Sequence, residues 1–212
     1  MVAGKALAPA VESARNANLY AVASRDKSKA AALGPQIAYD NYDALINDPK
    51  VDAVYISLPN NLHKPLAIKA LKAGKHVLCE KPLAMSYQEA QEMFDVAKES
   101  QRLLVEAIWF RWHPRTIKAL QVIAAGQIGE ALKVDATFTF QNNTFSNYRF
   151  DPLQGGGALL DLGPYPLHLL AALTDSCITS PSLPVICILP FPGIITVSIF
   201  KISPPYSVQA RP

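Results

Sequence analysis

The chain has 212 residues, half of them apolar, enough to bury a substantial core in one large domain or two small ones. Its net charge is only +3 and its basic residues are scattered, which excludes wholesale disorder and gives no footprint for nucleic acid. Three cysteines (Cys79, Cys177, Cys187) make an odd number without metal-ligand spacing, so a reduced cytoplasmic compartment is expected, with no disulfide framework and no bound metal.

The N-terminus lacks the basic start and cleavage site of a secretory signal and runs into apolar residues at helical spacing over 4–14. A buried strand is expected over 19–24, a helix over 27–33, a short strand over 36–39, a helical turn over 42–47 and a β-branched strand over 51–58. A helix over 63–73 is closed by Gly74. A strand over 75–79 follows, then a helix capped by Ser86 and running to Ser100, then a strand over 103–106. Such alternation implies parallel strands with ligands gathered at their carboxyl ends.

Past Pro114 the texture changes. A helix over 115–125 stops at Gly126, and residues 131–140 alternate like a half-exposed strand. Gly155-Gly156-Gly157 then leads into a helix predicted over 158–173. From Thr174 onward prolines interrupt a Ser/Ile/Val-rich stretch with no clear period, so the new sheet is expected to stay unfinished. Residues 183–200 are apolar enough to raise a membrane-span question, but Pro184, Pro190 and Pro192 argue against a spanning helix. The resulting division is 1–107, a nucleotide-binding α/β domain; 108–173, the start of an α+β domain; and 174–212, an atypical tail.

Two strand ends concentrate chemistry. Leu58-Pro59-Asn60-Asn61-Leu62-His63 turns from a strand into a helix, where a doubly wound sheet offers backbone and small polar groups to a cofactor. Glu80-Lys81-Pro82 puts a carboxylate and an ammonium at the same sheet edge. These blocks, with Gly74 through Cys79 and Glu106 through Pro114, resemble the Gfo/Idh/MocA oxidoreductases over about residues 4–173. They are most similar to the dihydrodiol and xylose dehydrogenase branch.

The resemblance implies an incomplete Rossmann-type parallel sheet and a dehydrogenase that moves hydride from a secondary alcohol of a sugar, polyol or trans-dihydrodiol to NADP, with NAD as the alternative cofactor. It implies that Lys81 contacts both nicotinamide and the reacting hydroxyl, where an ammonium stabilises developing negative charge. Glu80, Leu58, Pro59, Asn60, His63, Trp109 and Arg111 are assigned to the cofactor, Arg149 and Trp112 to the substrate. Asp161 and Tyr165, four apart after the glycines, match the family's acid/base segment. A phenol needs a nearby cation such as Lys81 to serve as proton acceptor. His168, three residues on, lies outside that position. After the first predicted strand, Ser24-Arg25 suits the 2′-phosphate of NADP, although Asp26 follows and an acidic residue there would select NAD.

One element is not in the sequence: the opening strand and glycine-rich turn that hold a pyrophosphate, expected upstream of Met1 because Gly4-Lys5-Ala6-Leu7-Ala8 resembles the later part of the first helix. Weak cofactor binding and poor solubility are therefore expected of the chain alone. An inactive relic or regulatory binding module of the same fold is the alternative function. No nucleic acid or membrane partner is expected, and the resemblance implies that full-length relatives often form homo-oligomers.

Overall fold

A computed structural model describes residues 6–129, 133–139, 146–174, 187–191 and 194–200. The chain divides into two compact units, Met1–Ala107 and Ile108–Pro212.

The first unit alternates helix and strand: α1 (Ala8–Ser13), β1 (Ala21–Ala23), α2 (Lys27–Ala31), β2 (Ile37–Tyr39), α3 (Tyr42–Asn47), β3 (Ala53–Ile56), α4 (His63–Lys72), β4 (His76–Cys79), α5 (Tyr87–Glu99) and β5 (Leu104–Glu106). Local chemistry sets the ends. Asp26 and Asn41 cap α2 and α3, Ser86 accepts from the Glu89 amide at α5, and Gly74 at φ +80° closes α4 with its amide on Leu71.

All strand pairs in this unit are parallel, giving a Rossmann-type α/β fold. They form two ladders, β1-β2 and β3-β4-β5. α3 packs on β1 and β2, while its Ile46 joins the core built on β3 and β4. In that core Leu71 of α4, Met93 of α5 and Cys79 of β4 are fully buried. Each such aliphatic side chain contributes about 1.5–3 kcal/mol through removal from water.

Asp48, after α3, ties the ladders together. Its carboxylate accepts from the Tyr39 hydroxyl (2.8 Å) and the Lys50 amide (2.8 Å), and its carbonyl accepts from the buried Lys75 ammonium (2.7 Å). The Lys50 amide and then the Tyr39 phenol hold the Asp48 carboxyl below the ordinary carboxylate range.

The second unit contains α6 (Pro114–Ala124), β6 (Lys133–Thr139), α7 (Ala158–Leu162), α8 (Pro164–Thr174), β7 (Cys187–Phe191) and β8 (Ile194–Phe200). Two expectations change. The helix predicted over 158–173 is two helices, because Pro164 has no amide to continue the first and starts the second instead. The sheet expected to stop at residue 140 continues: β6, β8 and β7 form an antiparallel sheet in that order, with Thr137 opposite Thr196 and Phe191 opposite Ile194. The β-branched run of β8 suits a central strand, and Pro190 is tolerated because β7 lies at the edge. No helix among the described residues is long and apolar enough to cross a membrane. Residues 4–5 of the predicted first helix, 131–132 and 140 of the predicted strand, and 175–186, 192–193 and 201–212 of the predicted tail lie outside the described residues.

Candidate active site

Parallel register brings the last residues of β3, β4 and β5 to one edge: Ile56 is opposite Cys79, and Cys79 opposite Glu106. Lys81 follows from that edge in a turn with a cis Lys81–Pro82 peptide. Side chains fasten the turn on several sides. Glu80 accepts from the Lys81 amide (3.3 Å) and from the Tyr55 hydroxyl, and Glu106 accepts from the Leu83 amide (2.9 Å). The Glu80 amide donates to Ile56 (2.9 Å), and the Ala107 amide to Cys79 (2.7 Å).

His63, the first residue of α4, is fully buried. Its Nδ1 lies 2.8 Å from the Pro82 carbonyl oxygen and its Nε2 2.9 Å from the Leu58 carbonyl oxygen. The residue assigned to the cofactor thus makes its polar contacts with the two turns at the sheet edge. Leu58 and Pro59 are half-buried beside it, and Asn60 is buried.

Electrostatics keep two further groups here neutral. Burial, then the Glu80 carboxylate, pushes the Tyr55 phenol up. Burial, then Glu106 and Glu80, pushes the Cys79 thiol up, so Cys79 is a packing residue with no thiolate at neutral pH.

At the end of β1, Asp26 is engaged as a helix cap: its Oδ1 accepts from the Ser28 amide (3.0 Å) and hydroxyl (2.6 Å), and its amide donates to the Ser24 hydroxyl (3.2 Å). Arg25 between them is exposed.

The second unit contains a cavity of about 260 Å³ lined by residues of the turn before α6, of α6, of β6 and of α8. Tyr165 sits among rings. It stacks on Phe138 (centroids 4.5 Å apart) and meets Phe110 at 6.1 Å and Trp109 at 6.4 Å. Arg115, Thr116 and Thr137 are the polar residues of the wall. Of the residues assigned from the sequence, Trp109 and Tyr165 therefore come together, whereas Arg111 and Trp112 are exposed outside the lining. Asp161 lies in α7, paired with Arg149 (Nε to Oδ2, 3.0 Å). His168 is half-buried in α8, outside the cavity wall.

Gly156 and Gly157 explain how that pair is built. Their amides donate to the Asp151 and Arg149 carbonyls (2.8 Å each), seating the glycine segment against the turn that carries Arg149. A Cβ on Gly156 would fall 2.7 Å from both carbonyl oxygens, so only glycine permits the approach.

Tyr55 and Glu106 were not singled out from the sequence. For Glu106 a signal existed, a carboxylate as the last residue of a predicted buried strand. The contact between Tyr55 and Glu80 depends on strand order, which local pattern does not encode.

Residues 1–107 match the model of an oxidoreductase family with an NAD-binding Rossmann fold, and residues 116–182 that of the GFO/IDH/MocA C-terminal domain. The chain is 39% identical over 166 residues to D-xylose 1-dehydrogenase (NADP(+)) 2 of Haloferax volcanii, covering 76% of this chain and 50% of that protein. It is 36% identical over 159 residues to trans-1,2-dihydrobenzene-1,2-diol dehydrogenase of Mus musculus, covering 73% and 47%. A 3-ketoreductase from Actinomadura kijaniata, solved in complex with NADP, superposes with a TM-score of 0.71 at 34% identity, covering 82% of this chain and 52% of that one. The chain spans about half the length of the curated relatives it matches. By its family match over both units, the chain belongs to the Gfo/Idh/MocA oxidoreductases.

Proposed function

We propose that the chain carries reacting residues of an NADP-dependent oxidoreductase that acts on a secondary alcohol, or its ketone, in a sugar, polyol or trans-dihydrodiol. The observation that carries this reading is the Lys81 turn, held at the carboxyl edge of a parallel sheet by Glu80, Glu106 and His63. An ammonium on a rigid turn stabilises negative charge on the reacting oxygen without reorganising first.

The groups at the end of β1 fit NADP. The Asp26 carboxylate, which would select NAD, is occupied by Ser28, leaving the Arg25 guanidinium to meet a 2′-phosphate. When bound, the nicotinamide supplies the acceptor for the hydride leaving the carbinol carbon. Lys81 steadies the oxygen, and Tyr165 takes the hydroxyl proton. Arg149, oriented by Asp161, hydrogen-bonds a neighbouring substrate hydroxyl. The names of the xylose and dihydrodiol dehydrogenases support this substrate class, and the ketoreductase supports the reverse direction.

The test is NADPH formation, followed by its absorbance, with D-xylose, polyols and a trans-dihydrodiol. Turnover of at least one substrate, falling about a hundredfold or more in Lys81→Met, is the expected result. Absence of both turnover and NADPH binding in the folded chain would overturn it in favour of a non-catalytic module.

A further inference from the structure

His63 occupies an unusual place for a polar residue. It is fully buried, yet each ring nitrogen lies within hydrogen-bond distance of a main-chain carbonyl from a different turn at the sheet edge. Leu58 ends the turn after β3, and Pro82 follows Lys81 in the turn after β4. Neither residue is near His63 in a way that helix geometry requires: the contacts span 5 and 19 residues.

A ring nitrogen that carries a hydrogen donates to the carbonyl it faces, and one without a hydrogen leaves two acceptors facing each other. The Pro82 contact is the shorter and lies in fully buried surroundings, whereas the Leu58 contact is partly buried. An unmet acceptor costs most where water is excluded, so Nδ1 is the nitrogen that must carry a hydrogen. Pro82 has no amide of its own, so its carbonyl is the remaining main-chain handle at that residue. Glu80 holds the Lys81 amide on one side of it, and Glu106 holds the Leu83 amide on the other.

We propose that His63 is the positioning residue for Lys81: its Nδ1–H donates to the Pro82 carbonyl and holds the turn that presents the ammonium. The functional meaning rests on the reading of Lys81 as the reacting group, while the hydrogen bond is testable without it.

In the native chain, long-range proton–nitrogen spectra of the His63 ring report the tautomer. Hydrogen on Nδ1 is expected, and hydrogen on Nε2 alone overturns the proposal. Amide exchange then reads the turn. His63→Asn, whose amide nitrogen falls near the Nδ1 position, retains the donor to Pro82. His63→Gln, whose amide nitrogen falls near Nε2, loses it. Exchange at Lys81 and Leu83 is expected to stay near the native rate in His63→Asn and to rise roughly fivefold or more in His63→Gln, with β4 amides unchanged in both. Equal protection in the two variants, or a rise spread evenly over α4 and β4, overturns the proposal in favour of simple packing. If the exchange pattern holds but Lys81→Met leaves hydride transfer intact, the catalytic reading fails and the His63 contact stands.

Discussion

Arg149 Nε lies 3.0 Å from Asp161 Oδ2, and the guanidinium carbon sits 4.9 Å above the Tyr148 ring. Both side chains are less than a third exposed, but the Nε–H is not directed at the carboxylate, so the contact is an ion pair rather than an aligned hydrogen bond. It joins a residue assigned to the substrate with one assigned to proton transfer.

The first prediction separates those roles. Asp161→Asn is expected to cost about 1 kcal/mol of stability, less than a deeply buried pair because solvent reaches the arginine. It should raise KM through a loosened Arg149, and kcat should change little. A urea double-mutant cycle with Arg149→Gln checks the pairing, and additivity within about 0.3–0.5 kcal/mol would show that the two are not coupled. A large fall in kcat at constant KM would make Asp161 the proton acceptor instead.

Tyr165→Phe removes a hydroxyl and keeps the ring that stacks on Phe138 at 4.5 Å. The packing of the ring should therefore be kept. If the phenol takes the proton, turnover should fall by roughly 10²–10⁴-fold. Single-turnover kinetics with near-ultraviolet circular dichroism as the packing control make the measurement, and unchanged turnover would remove Tyr165 from the mechanism.

The parallel half of the fold was legible because its signals are local. Val51 to Leu58 is β-branched, Gly74 stops α4 at φ +80°, and Ser86 caps α5 on the Glu89 amide. The Lys81 turn was legible for the same reason, as a short contiguous motif. What local pattern does not hold is partnership at a distance. Nothing local to His63 foretells the Pro82 carbonyl on its ring, and Glu106 reads as a strand end until Leu83 donates to it. The run 158–173 has one apolar period but contains Pro164, and steric exclusion prevailed over periodicity. β7 and β8 were missed because the prolines beside Ile194 to Phe200 hide an alternation that becomes meaningful only opposite β6.

Gly156→Ala tests whether the glycine segment is a close-packed support. Its Cβ would meet the Arg149 and Asp151 carbonyl oxygens at 2.7 Å, and both are backbone atoms that cannot swing away. Overpacking of this kind costs about 1–3 kcal/mol. Thermal unfolding should register the loss, and amide exchange at Gly156 and Gly157 should accelerate as their bonds to Asp151 and Arg149 break. A variant with native exchange at those two amides would show that the turn can move aside.

Acid sensitivity follows from Asp48. Its carboxyl is held down first by the Lys50 amide and then by the Tyr39 phenol, against a smaller opposing effect of desolvation. A folded value below the unfolded one means that the stabilisation is present above the unfolded value, about 4, and is lost as pH falls through the lower folded value. The urea midpoint should therefore decline as the solution is taken below about pH 4. Asp26, lowered chiefly by the Ser28 hydroxyl, has the same sign, so Asp48→Asn should flatten the decline without abolishing it. Tyr39→Phe, which deletes one of the two main donors, should flatten it less than Asp48→Asn does. Tyr55 acts at the opposite end. Burial raises its phenol, so its contribution is present below the unfolded value near 10 and fades as pH rises through the higher folded value. Midpoints of native, Asp48→Asn and Tyr39→Phe chains across the acid range make the comparison, and superimposable declines in all three would show that Asp48 has no part in it.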